Sequence, residues 1–240
     1  MLVEVCANSL ESALVAERAG ADRIELCSEL AVGGLTPSYG LLKSVKEHVS
    51  IPVHVLIRPR SGNFSYADHE LDIMLSDIKM CVDLGYEGIV SGVLTPDFKL
   101  DVERTSLLKN ASGDLKFTFH RAFDWLDDPI EAMVQLEKLK IDYVLTSGQQ
   151  KSAPEGFSFL CDLQMHRFKI EIMPGSGINA GNVHLFNDQG FTAVHLSGTA
   201  MEKRLDKTPQ VTMNSNHFLS DDHVAVTQFN NIKEVVYKVK

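Results

Sequence analysis

Short runs of β-branched and aliphatic residues recur along the chain, and each is followed by a longer stretch with helical spacing of its apolar positions. The runs cover residues 2–6, 23–27, 53–58, 88–92, 116–120, 143–146, 169–173 and 193–197. Their length and residue types predict strands, and the intervals between them carry helix signals. Asn8 precedes Leu10 and Glu11 in the manner of a capping box. Thr36-Pro37, Asp128-Pro129 and Ala153-Pro154 place proline where a first helical turn tolerates it, and Gly20 and Gly85 fall where helices should stop. Eight strand–helix repeats predict an α/β chain folded as a (β/α)8 TIM-type barrel of eight parallel strands. A doubly wound open sheet is the alternative, but the glycine fingerprint of its first turn is missing here.

The connections are asymmetric. Helix-to-strand links such as Ala19-Gly20-Ala21-Asp22 are minimal, whereas the strand-to-helix links at 28–35, 59–66, 95–100, 121–128 and 148–153 are longer and more polar. In a barrel the second kind builds the functional face. Residues 1–200 read as one barrel domain, and 201–240 as an irregular C-terminal extension, packed on the barrel or partly mobile. Within the extension, 201–222 is polar and 231–240 has the pattern of a short final helix.

Composition narrows the class of protein. A hydrophobic fraction of 44% and a charged fraction of 23% are ordinary for a globular chain. The formal net charge of -9 argues against a nucleic-acid partner, since there is no basic surplus to neutralise phosphates. The chain opens directly on Leu2-Val3-Glu4-Val5-Cys6, with no leader pattern, and has no apolar run of membrane-spanning length. A cytoplasmic protein without membrane partners is expected. Cys6, Cys27, Cys81 and Cys161 are then thiols with no zinc-type spacing, and Cys81 and Cys161 read as helix core.

The strands also carry unusual charge. Val3-Glu4-Val5-Cys6, Ile24-Glu25-Leu26-Cys27 and Ile170-Glu171-Ile172-Met173 each set a glutamate between aliphatic residues and end on sulfur. Alternation along a strand fixes faces. If Val3 and Val5 meet the helices, then Glu4, Cys6, Glu25, Cys27, His54, Leu56, Arg58, Thr118, His120, Lys169, Glu171, Met173, His195 and Ser197 all point into the lumen. The three glutamates are expected at a similar depth, facing Arg58, His54, His120 and His195. An ordinary barrel fills this space with branched apolar side chains. The ring of Glu4, Glu25, His54, Arg58, His120, Glu171 and His195 is therefore the candidate catalytic machinery. The plainer alternative is a set of buried salt bridges with Arg23, Arg58 or Lys169.

Several longer stretches stand out: Val3-Glu4-Val5-Cys6, Ala21-Asp22-Arg23-Ile24-Glu25-Leu26-Cys27, Gly33-Gly34-Leu35-Thr36-Pro37-Ser38 and Pro52-Val53-His54-Val55-Leu56-Ile57-Arg58-Pro59-Arg60. Further ones are Gly92-Val93-Leu94-Thr95-Pro96-Asp97, Thr118-Phe119-His120-Arg121-Ala122-Phe123-Asp124, Leu145-Thr146-Ser147-Gly148 and Ile172-Met173-Pro174-Gly175. Together they resemble the CutC family, named for copper homeostasis. The resemblance implies a cytosolic TIM-type barrel, a homo-oligomer, and Cu(I) binding. Two departures stand out: Gly175-Ser176-Gly177 replaces an expected run of glycines, and Gly198-Thr199-Ala200 stands where the family often has an arginine.

Two chemical readings follow. In the first, Cys6 and Cys27 end adjacent strands and hold Cu(I), with Met173 as a further sulfur ligand, because thiolate and thioether select soft ions. Buried cysteine also serves as a small hydrophobe. In the second, the barrel is an enzyme acting on a small anionic or phosphorylated metabolite. Gly175, Ser176, Gly177, Ser197 and Gly198 would cradle the anion, since barrels commonly bind phosphate after strands seven and eight. Arg58, Arg60 or Arg121 would clamp it. No organic cofactor is implied.

Overall fold

The eight apolar runs form eight parallel strands in a computed structural model that describes residues 1–207, 209–213 and 221–240. They are β1 (Leu2–Ala7), β2 (Arg23–Leu26), β3 (Val53–Leu56), β4 (Gly88–Ser91), β5 (Lys116–Phe119), β6 (Tyr143–Thr146), β7 (Glu171–Pro174) and β8 (Ala193–Leu196). The helices between them are α1 (Leu10–Arg18), α2 (Tyr39–His48), α3 (Asp68–Asp83), α4 (Val102–Ala111), α5 (Pro129–Lys138), α6 (Phe157–Met165) and α7 (Val183–Asp188). Each strand from β1 to β6 pairs with the next, and β8 pairs with β1. A parallel bridge between Gly175 and His195 closes the cylinder. The fold is the TIM-type barrel, and the open-sheet alternative falls.

Alternation decides what fills each side. Val3, Val5, Ile24, Val55, Ile89, Phe117, Phe119, Val144, Ile172 and Val194 face the helices and join one continuous apolar cluster. Burying each such side chain stabilises the fold by roughly 1.5–3 kcal/mol. The inward positions hold two small apolar groups, Cys6, Cys27, Leu56 and Val90 in one and Leu145, Met173 and Ala193 in the other. The remaining inward side chains are polar: Glu4, Arg23, Glu25, His54, Arg58, Thr118, His120 and His195 are all at most 9% exposed.

Local signals placed some helix ends and misplaced others. The α1 cap is Ser9, whose hydroxyl accepts from the Ser12 N–H, and not Asn8. Asn8 is taken up elsewhere, accepting from the Ser12 hydroxyl and donating to the Ala225 carbonyl. Pro129 does open α5, behind an Asp128 cap. Pro37 and Pro154 precede their helices, because α2 is capped by Ser38 and α6 begins only at Phe157. Gly20 and Gly85 end α1 and α3 at positive φ, as expected of helix stops.

Beyond β8 the chain forms an antiparallel pair, β9 (Thr199–Lys203) with β10 (His223–Thr227), and then α8 (Phe229–Val239). Ile232, Val235 and Val239 on α8 are buried in the outer apolar cluster. The helix packs on α7, α1 and β1 and so completes the helical shell. Among the described residues, no helix is long and apolar enough to cross a membrane.

Candidate functional site at the carboxyl mouth of the barrel

Strand register sets the site. Glu4 lies beside Arg23 on β2 and His195 on β8, while Glu25 lies beside Cys6 on β1 and His54 on β3. Arg23 Nε donates to Glu4 Oε2 at 2.5 Å, and His195 Nδ1 donates to Glu4 Oε1 at 2.8 Å. His195 Nε2 is 3.6 Å from Glu25 Oε2. The result is a buried chain running Arg23–Glu4–His195–Glu25. The Arg23 guanidinium also stacks 4.2 Å over the Tyr143 ring and reaches Met173 Sδ at 3.6 Å.

Environment sorts the protonation of this chain. Burial alone would raise Glu4, but Arg23 and His195 together hold its carboxyl well below the usual range. Burial raises Glu25, which lacks so close a cation. Burial would lower His195, yet Glu25 and Glu4 overcome it and raise the imidazole.

Cys6 Sγ and Cys27 Sγ are 3.4 Å apart, and both cysteines are buried free thiols. Contact with Cys27, burial and the nearby Glu25 push the Cys6 thiol well up. Cys6, Glu25 and His195 each offer a ligand atom, and these atoms all lie within 4.8 Å of one another. A cavity of about 750 Å³ opens above them at the carboxyl ends of the strands and reaches Cys6, Glu25 and His195. Its volume falls in the range of small-molecule sites.

The other expected residues divide. Ser176, Gly177, Ser197 and Gly198 line the cavity, but Gly175 does not. A Cβ at Gly175 would fall 2.5 Å from Leu145 Cδ1, so close packing accounts for that glycine. His54 is buried with its Nδ1 unpartnered, and burial lowers its pKa to about 4. His120 lines the cavity, with its pKa lowered to about 3 by burial and by Arg58. Arg58 is no counterion to the glutamates; its guanidinium donates to the carbonyls of Val32, Gly34 and Gly62.

The three glutamates do not share a depth: Glu25 is level with Cys6, two positions beyond Glu4, and the third is Glu171. It is the first residue of β7, half-buried at the opposite end of the barrel, where it accepts from the Thr192 hydroxyl. There it lines a smaller cavity of about 390 Å³ with Lys116, Lys140 and Lys169. Lys169 precedes the strand and is exposed, so it does not point into the lumen. Met173 is inside, but it groups with Leu145 and Ala193 and gives its sulfur to Arg23, apart from the cysteine group.

In the sequence Arg23 reads only as a structural partner, although it sits two positions before Glu25 and so shares its face. Phe64 carries no sequence signal of a role, yet its ring lies 4.8 Å from His120 and 5.1 Å from the Arg58 Cζ. Asp124, four residues after His120, gathers the next strand end by accepting from the Thr146 hydroxyl and the Ser147 and Gln149 N–H groups.

A family model described as the CutC family matches residues 1–200. The chain belongs to the CutC family. A family protein CutC from Salmonella paratyphi A is 47% identical over 196 residues, covering 82% of this chain and 79% of the relative. The crystal structure of a CutC from Streptococcus agalactiae, named for copper homeostasis, superposes with a TM-score of 0.78 at 35% identity. That likeness covers 82% of this chain and 98% of the other. The thiamine phosphate pyrophosphorylase of Pyrococcus furiosus, at 14% identity and a TM-score of 0.61, shares the fold over 99% of this chain and 94% of its own. The CutC match therefore contains the whole Glu4, Cys6, Arg23, Glu25, Cys27 and His195 group, and α8 lies beyond it.

Proposed function

We propose that this CutC protein binds Cu(I) at the carboxyl mouth of its barrel through Cys6 and Cys27. The observation that carries the reading is the 3.4 Å separation of the two buried sulfurs. Paired thiolates select a soft monovalent ion. The surroundings also favour a cation. Cys6 lies against Cys27 and Glu25, a setting that keeps its proton on until a positive charge takes the proton's place. Glu25 and His195 flank the pair as further donors. Met173 is engaged by Arg23, so the proposed site rests on the two cysteines. A reducing cytoplasm suits free thiols at this spacing, and the copper-homeostasis name of the Streptococcus agalactiae relative points the same way.

The test is a Cu(I) titration against a competing chelator, run on the wild type and on Cys6→Ser and Cys27→Ser. Both variants should lose affinity by at least about tenfold, the cost of one good ligand. Equal affinity in all three would end the reading.

A further inference from the structure

Another part of the cavity wall has an unmet need that shares no residue with the cysteine pair. Arg58 is 4% exposed, and among the described residues no carboxylate lies within 4.0 Å of it. Three of its N–H bonds go to the carbonyls of Val32, Gly34 and Gly62 at 2.7–2.9 Å. Its Nε–H has no partner in hydrogen-bonding geometry, and the nearby Tyr66 hydroxyl, itself buried and unpartnered, is a neutral group that brings the guanidinium no countercharge. His120, 5% exposed, accepts the Ala122 N–H on Nδ1 at 3.2 Å, which leaves the proton of the neutral ring on Nε2. That Nε2 has no partner either. A buried cation and two unpaired donors call for an acceptor that carries negative charge.

Both residues line the mouth cavity, and so does Phe64, whose ring packs on each of them. Neither unpaired nitrogen meets water while that ring is in place. Arg60 pins the Phe64 loop from below, bonding the Asn63 and Ser65 carbonyls and Glu70, so rotation of the Phe64 side chain is the movement that uncovers the donors. Leu30, Leu56 and Leu145 supply apolar wall in the same cavity, which suits an anion with a carbon skeleton better than a bare inorganic one.

We propose that Arg58 Nε–H and His120 Nε2–H form the binding subsite for a small organic carboxylate, which displaces the Phe64 ring as it enters. Arg58 supplies the charge and one donor, and His120 supplies a neutral second donor at a fixed tautomer. The apolar walls hold the carbon chain. The subsite stands whether or not the cysteines bind copper.

The experiment records imidazole ¹⁵N spectra of histidine-labelled protein, with melting temperatures alongside, during titration with butyrate, inorganic phosphate or chloride at matched ionic strength. His120→Phe, which has no donor at this position, identifies the His120 signal. Butyrate should move that signal saturably and raise the melting temperature. His120→Phe should weaken binding by about tenfold, the loss of one charge-assisted hydrogen bond. Phe64→Ala should bind at least as tightly as the wild type. If His120→Phe does not fold, the melting temperatures of wild type and Phe64→Ala with butyrate against matched chloride carry the test. The proposal is overturned by any of four results: no saturable response in wild type and Phe64→Ala alike, an equal response to chloride, a response to phosphate alone, or unchanged affinity in His120→Phe.

Discussion

Arg23 Nε and Glu4 Oε2 lie 2.5 Å apart, with side-chain exposures of 4% and 0%. Removing the carboxylate charge strands the guanidinium in an interior that cannot solvate it. Glu4→Gln should therefore cost about 3–5 kcal/mol, the usual penalty for breaking a buried pair from one side. Urea denaturation monitored by circular dichroism reads this directly. A loss below about 1 kcal/mol, the scale of an exposed pair, would mean that Arg23 has another counterion or that water reaches it.

The same pair shows what the sequence could and could not disclose. Period-two alternation was enough to send Glu4, Glu25, His54 and His195 inward, because aliphatic neighbours such as Val3, Val5 and Ile24 demand the helical side. Depth along the barrel axis was not legible. Glu171 sits in a run much like those of Glu4 and Glu25, yet β7 starts at Glu171 itself, which leaves it at the opposite end. Partner choice was also hidden. Arg58 resembles a counterion in one dimension, but the loops after β2 and β3 fold carbonyls onto it before any carboxylate arrives. Caps failed in the same way, since Asn8 and Ser9 are both competent and only the path of the chain decides between them.

Gly88 and His54 are neighbours in register on β4 and β3, and the His54 ring fills the space where a residue 88 side chain would stand. Gly88→Ala should destabilise by about 1–3 kcal/mol through overpacking. Shortening the obstructing side chain should relieve the clash, so Gly88→Ala/His54→Ala is expected to be more stable than the sum of the single effects by about 1 kcal/mol or more. Strict additivity in that double-mutant cycle would place the His54 ring elsewhere.

Protonation of His54 should weaken the fold as the solution is acidified. His54 has its pKa lowered to about 4 by burial, against about 6.5 in an unfolded chain. Protonation therefore favours the unfolded state, and the contribution of His54 is present above pH 6.5 and lost as pH falls toward 4. Between pH 7.5 and 5.5 the loss from this one residue is about 1 kcal/mol. His120, lowered to about 3, acts in the same direction. Glu25 and His195, both raised, act in the opposite one. The difference between wild type and His54→Gln isolates the single residue: unfolding free energies at the two pH values should diverge by that amount. Parallel pH profiles would show that His54 is not buried as a neutral ring.

The proposed copper binding at Cys6 must displace a proton, because the ligand is the thiolate and the buried Cys6 is held as a thiol. Apparent Cu(I) affinity should then rise by about tenfold per pH unit for each proton released. Cys6→Ser removes that proton from the balance. Its plot of log affinity against pH should be shallower than the wild-type plot by about one decade per unit. The comparison is more telling than affinity alone, since a serine that merely loosened packing would lower the whole line without tilting it. Chelator competition at several pH values from 6 to 8 measures both slopes. Identical slopes would remove Cys6 from the coordination sphere, leaving its contact with Cys27 a matter of packing.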